Sequence, residues 1–148
     1  MKNYVIVLKT DEDGKTCIKI VPMSKEQLEL EDMYKLCECR CISIADPVVE
    51  ISNIKFDYEM IFDEEFLLKE DVIANPLASY LYGYSAHKEC LCGNVIIAKK
   101  VLIEDDMCSA GFSEKESLQI LNVLGQIAFI TSEMDFQVQE PCIRFIEF

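Results

Sequence analysis

Residues 59–97 alternate between strand-like and helix-like patterns, and this alternation constrains the fold more than any other part of the chain. Apolar and polar residues alternate up to Phe62, which is the period of a half-buried strand. Asn75 followed by Pro76 indicates a helix start, because Asn caps free N–H groups and the φ of Pro suits the first turn. A second strand-like run follows the Gly93-Asn94 pair. Strand, helix and strand in this order predict a mixed α+β structure.

The rest of the chain continues the same mixture of patterns. Residues 4–8 and 16–21 are apolar runs on either side of an Asp-Gly pair, which suits a hairpin turn. Ser24 and Ser113 are each followed three residues later by Gln or Glu, the capping-box pattern of a helix start. We therefore predict one α+β domain over residues 1–148, with a mixed or antiparallel sheet and about three helices, at 24–36, 76–82 and 114–128.

Several connecting segments have patterns of their own. Cys37, Cys39 and Cys41 occupy every second position, which predicts a strand that carries all three side chains on one face. Residues 91–102 predict a further strand, and the acidic residues that open 104–111 predict a loop. Residues 125–148 are expected to form a C-terminal extension packed on the domain, with short strands at 135–139 and 142–146.

The chain carries a large negative charge, with 27 acidic against 14 basic residues and a formal net charge of −13. The charge is densest at residues 57–71, where the single base is Lys69. Such a field repels nucleic acid and anionic lipid and attracts basic surfaces. The sequence therefore predicts no direct nucleic-acid binding and a basic protein as partner. Solubility alone is the simpler explanation of the same charge.

The expected location is the cytoplasm. No stretch approaches the roughly 20 apolar residues of a membrane helix, so no membrane association is expected. The N-terminal residues lack the long apolar run and the small-residue cleavage site of a signal peptide. The eight cysteines are then expected to be reduced thiols, several of them serving as small apolar residues in strands.

Three short motifs occur in a fixed order along the chain. They are an acidic turn, a helix start and a late strand, at Asp63-Glu64-Glu65, at Asn75 with Ala78, and at Gly93-Asn94-Val95. In this order the chain, over about residues 3–124, resembles a small domain family of unknown function from bacteriophages, plasmids and conjugative elements of Gram-positive gut bacteria. Phe66 stands where that family usually has Gly. The resemblance implies a mobile-element protein in the cytoplasm of a bacterial host cell, and it brings no catalytic residues.

Metal binding and catalysis are weaker alternatives. Six soft or borderline ligands could hold zinc: Cys37, Cys39, Cys41, His87, Cys90 and Cys92. Their Cys-x-Cys spacing differs from the Cys-x2-4-Cys knuckles of structural zinc sites. A nucleophilic Cys–His pair would need His87, the only histidine, and no orienting acid beyond Glu89 is evident. Nucleotide-binding and hydrolase motifs are absent from the sequence. We therefore expect no enzyme activity, no cofactor and no bound metal.

The acidic turn and the helix that follows it form the predicted contact surface. Its residues are Asp63, Glu64, Glu65, Tyr80, Tyr82, Tyr84 and Asn94. Tyrosines are frequent in protein interfaces, although helix packing of Tyr80 and Leu81 is the simpler explanation. The predicted function is that of an acidic interaction protein, such as an anti-restriction or anti-CRISPR-like inhibitor of a host defence factor. The alternative is a protein that binds or sequesters a small molecule, for example a nucleotide signal.

Overall fold

A computed structural model of the chain describes residues 3–11, 16–47, 57–65, 73–83, 91–132 and 142–145, with side chains up to residue 127. These ranges contain seven strands and three helices. The strands are β1 (Asn3–Thr10), β2 (Thr16–Met23), β3 (Ile42–Ala45), β4 (Tyr58–Asp63), β5 (Val95–Ile103), β6 (Asp106–Ala110) and β7 (Cys142–Phe145). The helices are α1 (Leu30–Cys37), α2 (Pro76–Tyr82) and α3 (Glu114–Ser132).

The strands form one sheet with the order β3-β4-β5-β1-β2-β7, and β6 pairs with the C-terminal half of β5. Among these described strands only β2 and β7 are parallel. The predicted α+β fold with a mixed sheet and three helices is thus confirmed. The first two strands pair along their full length, as the hairpin prediction requires.

Helices cover both faces of the sheet. Ile6 and Leu8 of β1 belong to one apolar core with α2 and α3, whereas Val5 and Val7 belong to a second core with α1. Successive side chains of a strand point to opposite faces, so a central strand between two helical layers is buried on both. This arrangement explains why residues 5–8 are a continuous apolar run rather than an alternating one.

The first helix starts six residues later than predicted. Ser24 does not begin a helix, because the backbone after it pairs with β6 instead. Gln27 forms an isolated bridge with Ala110, and the N–H of Leu28 donates to the carbonyl of Ser109 at 2.7 Å. The capping-box prediction at residue 24 is therefore wrong, and a contact distant in sequence overrides it.

α1 begins at a different capping box and ends later than the strand prediction allows. The N–H of Glu29 donates to Oδ2 of Asp32 at 3.1 Å. The helix runs to Cys37, and Glu38 ends it in the left-handed region with φ of 54°. The predicted strand that begins at residue 37 is therefore wrong, and β3 starts only after the loop 38–41.

The other two helices begin as predicted. Oδ1 of Asn75 accepts a hydrogen bond from the N–H of Ala78 at 3.2 Å, and Gly83 ends α2 with φ of 94°. Ser113 Oγ accepts from the N–H of Glu116 at 3.1 Å, and the Ser113 N–H donates to Glu116 Oε1 at 2.9 Å. This second capping box is confirmed. α3 runs beyond the predicted end at residue 128.

The predicted loop at 104–111 is wrong, because most of it is the strand β6. β5 begins at Val95, later than the predicted start at residue 91, and a two-residue turn joins it to β6. Both turn residues, Glu104 and Asp105, have positive φ (50° and 67°), as in the type I′ turns of tight hairpins. The turn lacks the Asn or Gly that normally indicates this conformation, which is why the sequence suggested a loop.

Some predictions concern residues outside the described ranges. They are the Asp-Gly turn after β1, Phe66, Tyr84, His87, Cys90 and the strand at 135–139. β7 confirms the strand predicted at 142–146. None of the described helices is long and apolar enough to cross a membrane.

Candidate functional site

The predicted acidic turn at the end of β4 is held mainly by its own hydrogen bonds. Asp63 is buried, and its Oδ1 accepts from the N–H of Glu65 at 2.9 Å. The N–H of Glu64 donates to the carbonyl of Cys41 at 3.0 Å. Glu65 lies 3.9 Å from the exposed guanidinium of Arg40, a pair that solvent weakens. Asp63 therefore serves the turn, and Glu64 is the exposed carboxylate of the three.

The predicted tyrosines contribute to the core. Tyr80 and Tyr82 are half-buried and pack against the cluster that α2 and α3 share. The ring of Tyr82 meets that of Phe62 edge-on, with centroids 5.7 Å apart and an interplanar angle of 71°. Such edge-to-face pairs add to the energy of apolar burial. Packing thus accounts for both tyrosines.

Asn94 lies on the opposite side of the sheet from these tyrosines. Its Nδ2 donates to the carbonyl of Leu36 at 3.1 Å and to Oε2 of Glu38 at 3.4 Å. The first of these bonds satisfies a carbonyl in the last turn of α1, which has no partner within the helix. Asn94 therefore anchors the end of α1. The predicted surface is divided between two faces of the sheet, because the described tyrosines belong to α2 and pack on the core that α2 and α3 share.

Cys37 is a core residue rather than a reactive thiol. Its Sγ donates to the carbonyl of Ile61 at 3.5 Å. Burial raises the pKa of the Cys37 thiol far above its ordinary value, and the neighbouring Cys39 raises it further. Since the thiolate is both the nucleophile and the metal ligand, a thiol that stays protonated suits neither role.

The zinc alternative gains no ligand set from the described residues. A hydrogen bond with Glu65 raises the pKa of Cys41, and partial burial and the nearby carboxylates act in the same direction. Cys37, at the end of a helix, and Cys41, in the loop 38–41, do not share a strand face. Among the described side chains no group of three or more His, Cys, Asp or Glu residues is placed to hold a metal ion. His87 and Cys90 lie outside them.

The β5–β6 hairpin presents a surface that the sequence did not indicate. Leu102 and Met107 are opposite each other in the strand register and are 64% and 57% exposed. Between them the exposed carboxylates of Glu104, Asp105 and Asp106 form the turn. We call residues 102–107 the acidic hairpin tip. The sequence signal was weak, because Glu104-Asp105 is not one of the dipeptides that indicate a two-residue hairpin turn.

The start of α1 carries exposed side chains of the same two kinds. Leu30 is 51% exposed, and Glu29 and Glu31 beside it are exposed as well. The backbone pairing of Leu28 with Ser109 ties this segment to β6, the second strand of the hairpin. Exposed apolar and acidic side chains thus occur together on two neighbouring elements.

The ammonium groups of Lys99 and Lys100, which are consecutive on β5, do not converge. Lys99 Nζ lies 3.0 Å from Oε2 of Glu116 on α3, and Lys100 Nζ lies 3.0 Å from Oδ1 of Asp46. Consecutive residues of a strand point to opposite faces, so the two ammonium groups are kept apart by the sheet. Each one serves an ion pair between elements.

A buried carboxylate next to Lys100 also has a structural role. Glu59 accepts a hydrogen bond from the hydroxyl of Ser109, and both side chains are buried. This bond joins β4 to β6 across β5. The hydrogen bond with Asp46 raises the pKa of Lys100, and the charges of Asp46 and Glu59 contribute to the same shift.

Comparisons with models of known protein families, with curated proteins and with solved structures found no match to this chain. The resemblance to a mobile-element family, which depends on short motifs, stays a prediction.

Proposed function

We propose that this protein acts without catalysis, by binding a basic protein through the acidic hairpin tip. The observation that carries the proposal is the exposed pair Leu102 and Met107, with three carboxylates between them in a tight turn. Large apolar side chains that lie together in solvent are typical of contact surfaces. The turn adds the charge that a basic partner would complement.

The shape of the tip favours binding with little loss of conformational freedom. Leu102 and Met107 belong to paired strands, and a two-residue turn connects those strands. A surface that is already ordered avoids part of the entropic cost of association. The carboxylates would speed the encounter with a basic surface, and the apolar pair would supply the area buried in the complex.

The net charge of −13 and the expected mobile-element setting suggest the class of partner. Host defence factors that act on nucleic acid carry basic surfaces, and a compact acidic protein would compete for them electrostatically. The proposed role is therefore that of an anti-restriction or anti-CRISPR-like inhibitor. The support for this setting is the resemblance together with the charge.

Replacement of the tip carboxylates tests the electrostatic part of the proposal. Glu104→Gln, Asp105→Asn and Asp106→Asn together remove three charges, and Asn accepts the positive φ that residue 105 requires. The immobilised protein should capture a basic protein from host lysate, and the triple variant should capture much less of it. Retention should fall as salt rises. Capture that is indifferent to salt, or recovery of no basic protein, would contradict the proposal.

The apolar part needs its own variant and control. Leu102→Ser with Met107→Ser should abolish capture, whereas Leu118→Ser, which alters an exposed Leu on α3, should retain it. All three positions are at least half exposed, so little stability is expected to be lost. Equal loss in the control would show that apolar exposure in general, and not the tip, causes capture.

A further inference from the structure

A cavity of about 300 Å³ lies between α1 and the β1–β2 hairpin. Its walls combine apolar side chains with lysines. The apolar residues are Val7, Val21 and Leu36, and the polar ones are Lys9, Lys19, Lys35, Glu38 and Asn94. Three ammonium groups against one carboxylate make this cavity locally positive in a chain whose net charge is −13.

The strand register places two of these lysines side by side. Lys19 is opposite Val7, and Lys9 follows Val7 by two residues on the same face. Lys9 and Lys19 are therefore diagonal neighbours, with Cβ atoms roughly 7–8 Å apart. Both are half-buried.

These lysines differ from others of the described chain in their surroundings. Lys25, Lys99 and Lys100 each lie within 4 Å of a carboxylate. Within the described residues no carboxylate lies that close to Lys9 or Lys19. Two neighbouring, half-buried ammonium groups repel each other, and an anion between them would remove the repulsion. Lys9 and Lys19 thus carry charge that no carboxylate of the described residues neutralises.

The cavity continues along the strands as a groove with both apolar and polar walls. A second cavity of about 260 Å³ shares three lining residues with the first: Val21, Lys35 and Leu36. Its additional apolar wall comes from Val5, Pro22, Met23 and Leu28, and its far end is polar, with Ser24 and the Lys25–Asp32 ion pair. Small-molecule sites are concave and mostly apolar, with a few charged groups that orient the ligand. The two cavities together have this character.

We infer that this groove binds a small organic anion. A phosphate or carboxylate group would lie among Lys9, Lys19 and Lys35, and the apolar part of the ligand would lie on Val21 and Leu36. Glu38 is held by Asn94 at the rim, where it would exclude ligands with a second negative charge at that end. The acidic hairpin tip takes no part in this site, so the inference is independent of the proposed protein partner.

Calorimetric titrations at fixed ionic strength test the inference with four probes. Inorganic phosphate supplies the charged group alone, adenosine monophosphate and octanoate supply it on an apolar body, and octanol is the uncharged counterpart of octanoate. We expect saturable binding of adenosine monophosphate or octanoate that is tighter than that of inorganic phosphate. The tighter of the two identifies phosphate or carboxylate as the natural group.

Charge-removing variants locate the binding. Lys9→Gln and Lys19→Gln should each weaken the affinity for the bound probe about tenfold or more, since each removes a charge-assisted hydrogen bond. Lys9→Arg and Lys19→Arg should largely retain it. Lys115→Gln, which removes the same charge from an exposed position on α3, should leave it unchanged.

Three results would overturn the inference. They are the absence of saturable binding of every probe at millimolar concentration, equal affinity in the Gln variants at positions 9 and 19, and octanol binding as tightly as octanoate. Unliganded thermal unfolding of each variant separates loss of the site from loss of the fold. If a Gln variant is unfolded, the matching Arg variant and the Lys115→Gln control decide the result.

Discussion

Replacement of Asn75 by alanine should destabilise this fold more than any ordinary loss of a helix cap. The side chain of Asn75 is completely buried and contacts three segments. Its Nδ2 donates to the carbonyl of Leu8 at 3.0 Å and to that of Gly93 at 2.9 Å. Its Oδ1 accepts from the N–H of Ala78 in the first turn of α2. One amide thus joins the central strand, the approach to β5 and a helix.

The expected cost follows from these contacts. Loss of the N-cap costs about 1 kcal/mol in typical cases. The buried carbonyl of Leu8 and the partly buried carbonyl of Gly93 would each lose a donor, at about 1 kcal/mol apiece. The free energy of unfolding should therefore fall by about 3 kcal/mol in Asn75→Ala. This is a large part of the roughly 5–15 kcal/mol that stabilises a typical domain.

Ser113→Ala is the matched control, because it removes an N-cap without breaking buried long-range bonds. We expect it to cost about 1 kcal/mol. Asn75→Asp keeps the cap acceptor but replaces both donors by oxygen, so it should cost at least as much as Asn75→Ala. Urea unfolding with unchanged m-values measures all three. A loss in Asn75→Ala no larger than that in Ser113→Ala would refute the reasoning.

Two further predictions concern α3 and the end of β6. Burial would raise the pKa of Glu116, but hydrogen bonds from the Ser113 N–H and from Lys99, with the charge of Lys99, lower it overall. The ionised form therefore contributes stability above the unfolded pKa of about 4.3, and this contribution is lost as pH falls through the folded pKa. Urea unfolding of Glu116→Gln should show a weaker acid dependence, and an identical pH profile would contradict this. Gly111→Ala should lower the melting temperature by several degrees, because its Cβ would lie 2.7 Å from Sδ of Met23 and 3.0 Å from backbone of β1, an overpacking of about 1–3 kcal/mol. An unchanged melting temperature would show that β1 can move away from the added methyl group without loss of stability.

The elements that the sequence predicted well are those with local signals. The Asn75-Pro76 start of α2, its Gly83 end and the Ser113–Glu116 box of α3 all appear in the structure. Each signal is a side chain that bonds to backbone within four residues, so its meaning depends little on the rest of the fold. The apolar runs around an Asp-Gly pair that predicted the hairpin of β1 and β2 are local in the same sense.

The failures depend on contacts distant in sequence. Ser24 carries a capping-box pattern, yet the segment after it pairs with β6 through Gln27 and Leu28. No local pattern shows that an open edge of the sheet will be available there. The turn at Glu104 and Asp105 adopts positive φ without Gly, so the hairpin appeared as a loop.

The predicted site was incomplete for a related reason. Sequence order placed Asn94 near Tyr80 and Tyr82, but the sheet separates them, with Asn94 against α1 and the tyrosines against the other core. A residue's face depends on the register of its strand and on which helix covers that strand. Neither can be read from the spacing of a few polar residues.

The register also explains how one acidic chain can present two surfaces of opposite charge. Leu102 is on the face of the sheet that α1 covers, and the lysines of β1 and β2 are on the same face. Val95 is opposite Leu8, so Lys9 of β1 lies beside the start of β5. The hairpin tip lies at the other end of β5. Seven residues of strand span about 23 Å. This is more than twice the Debye length of about 8 Å at physiological salt. The tip carboxylates therefore neither neutralise the groove lysines nor weaken an anion bound there, and a basic partner at the tip would leave the groove accessible.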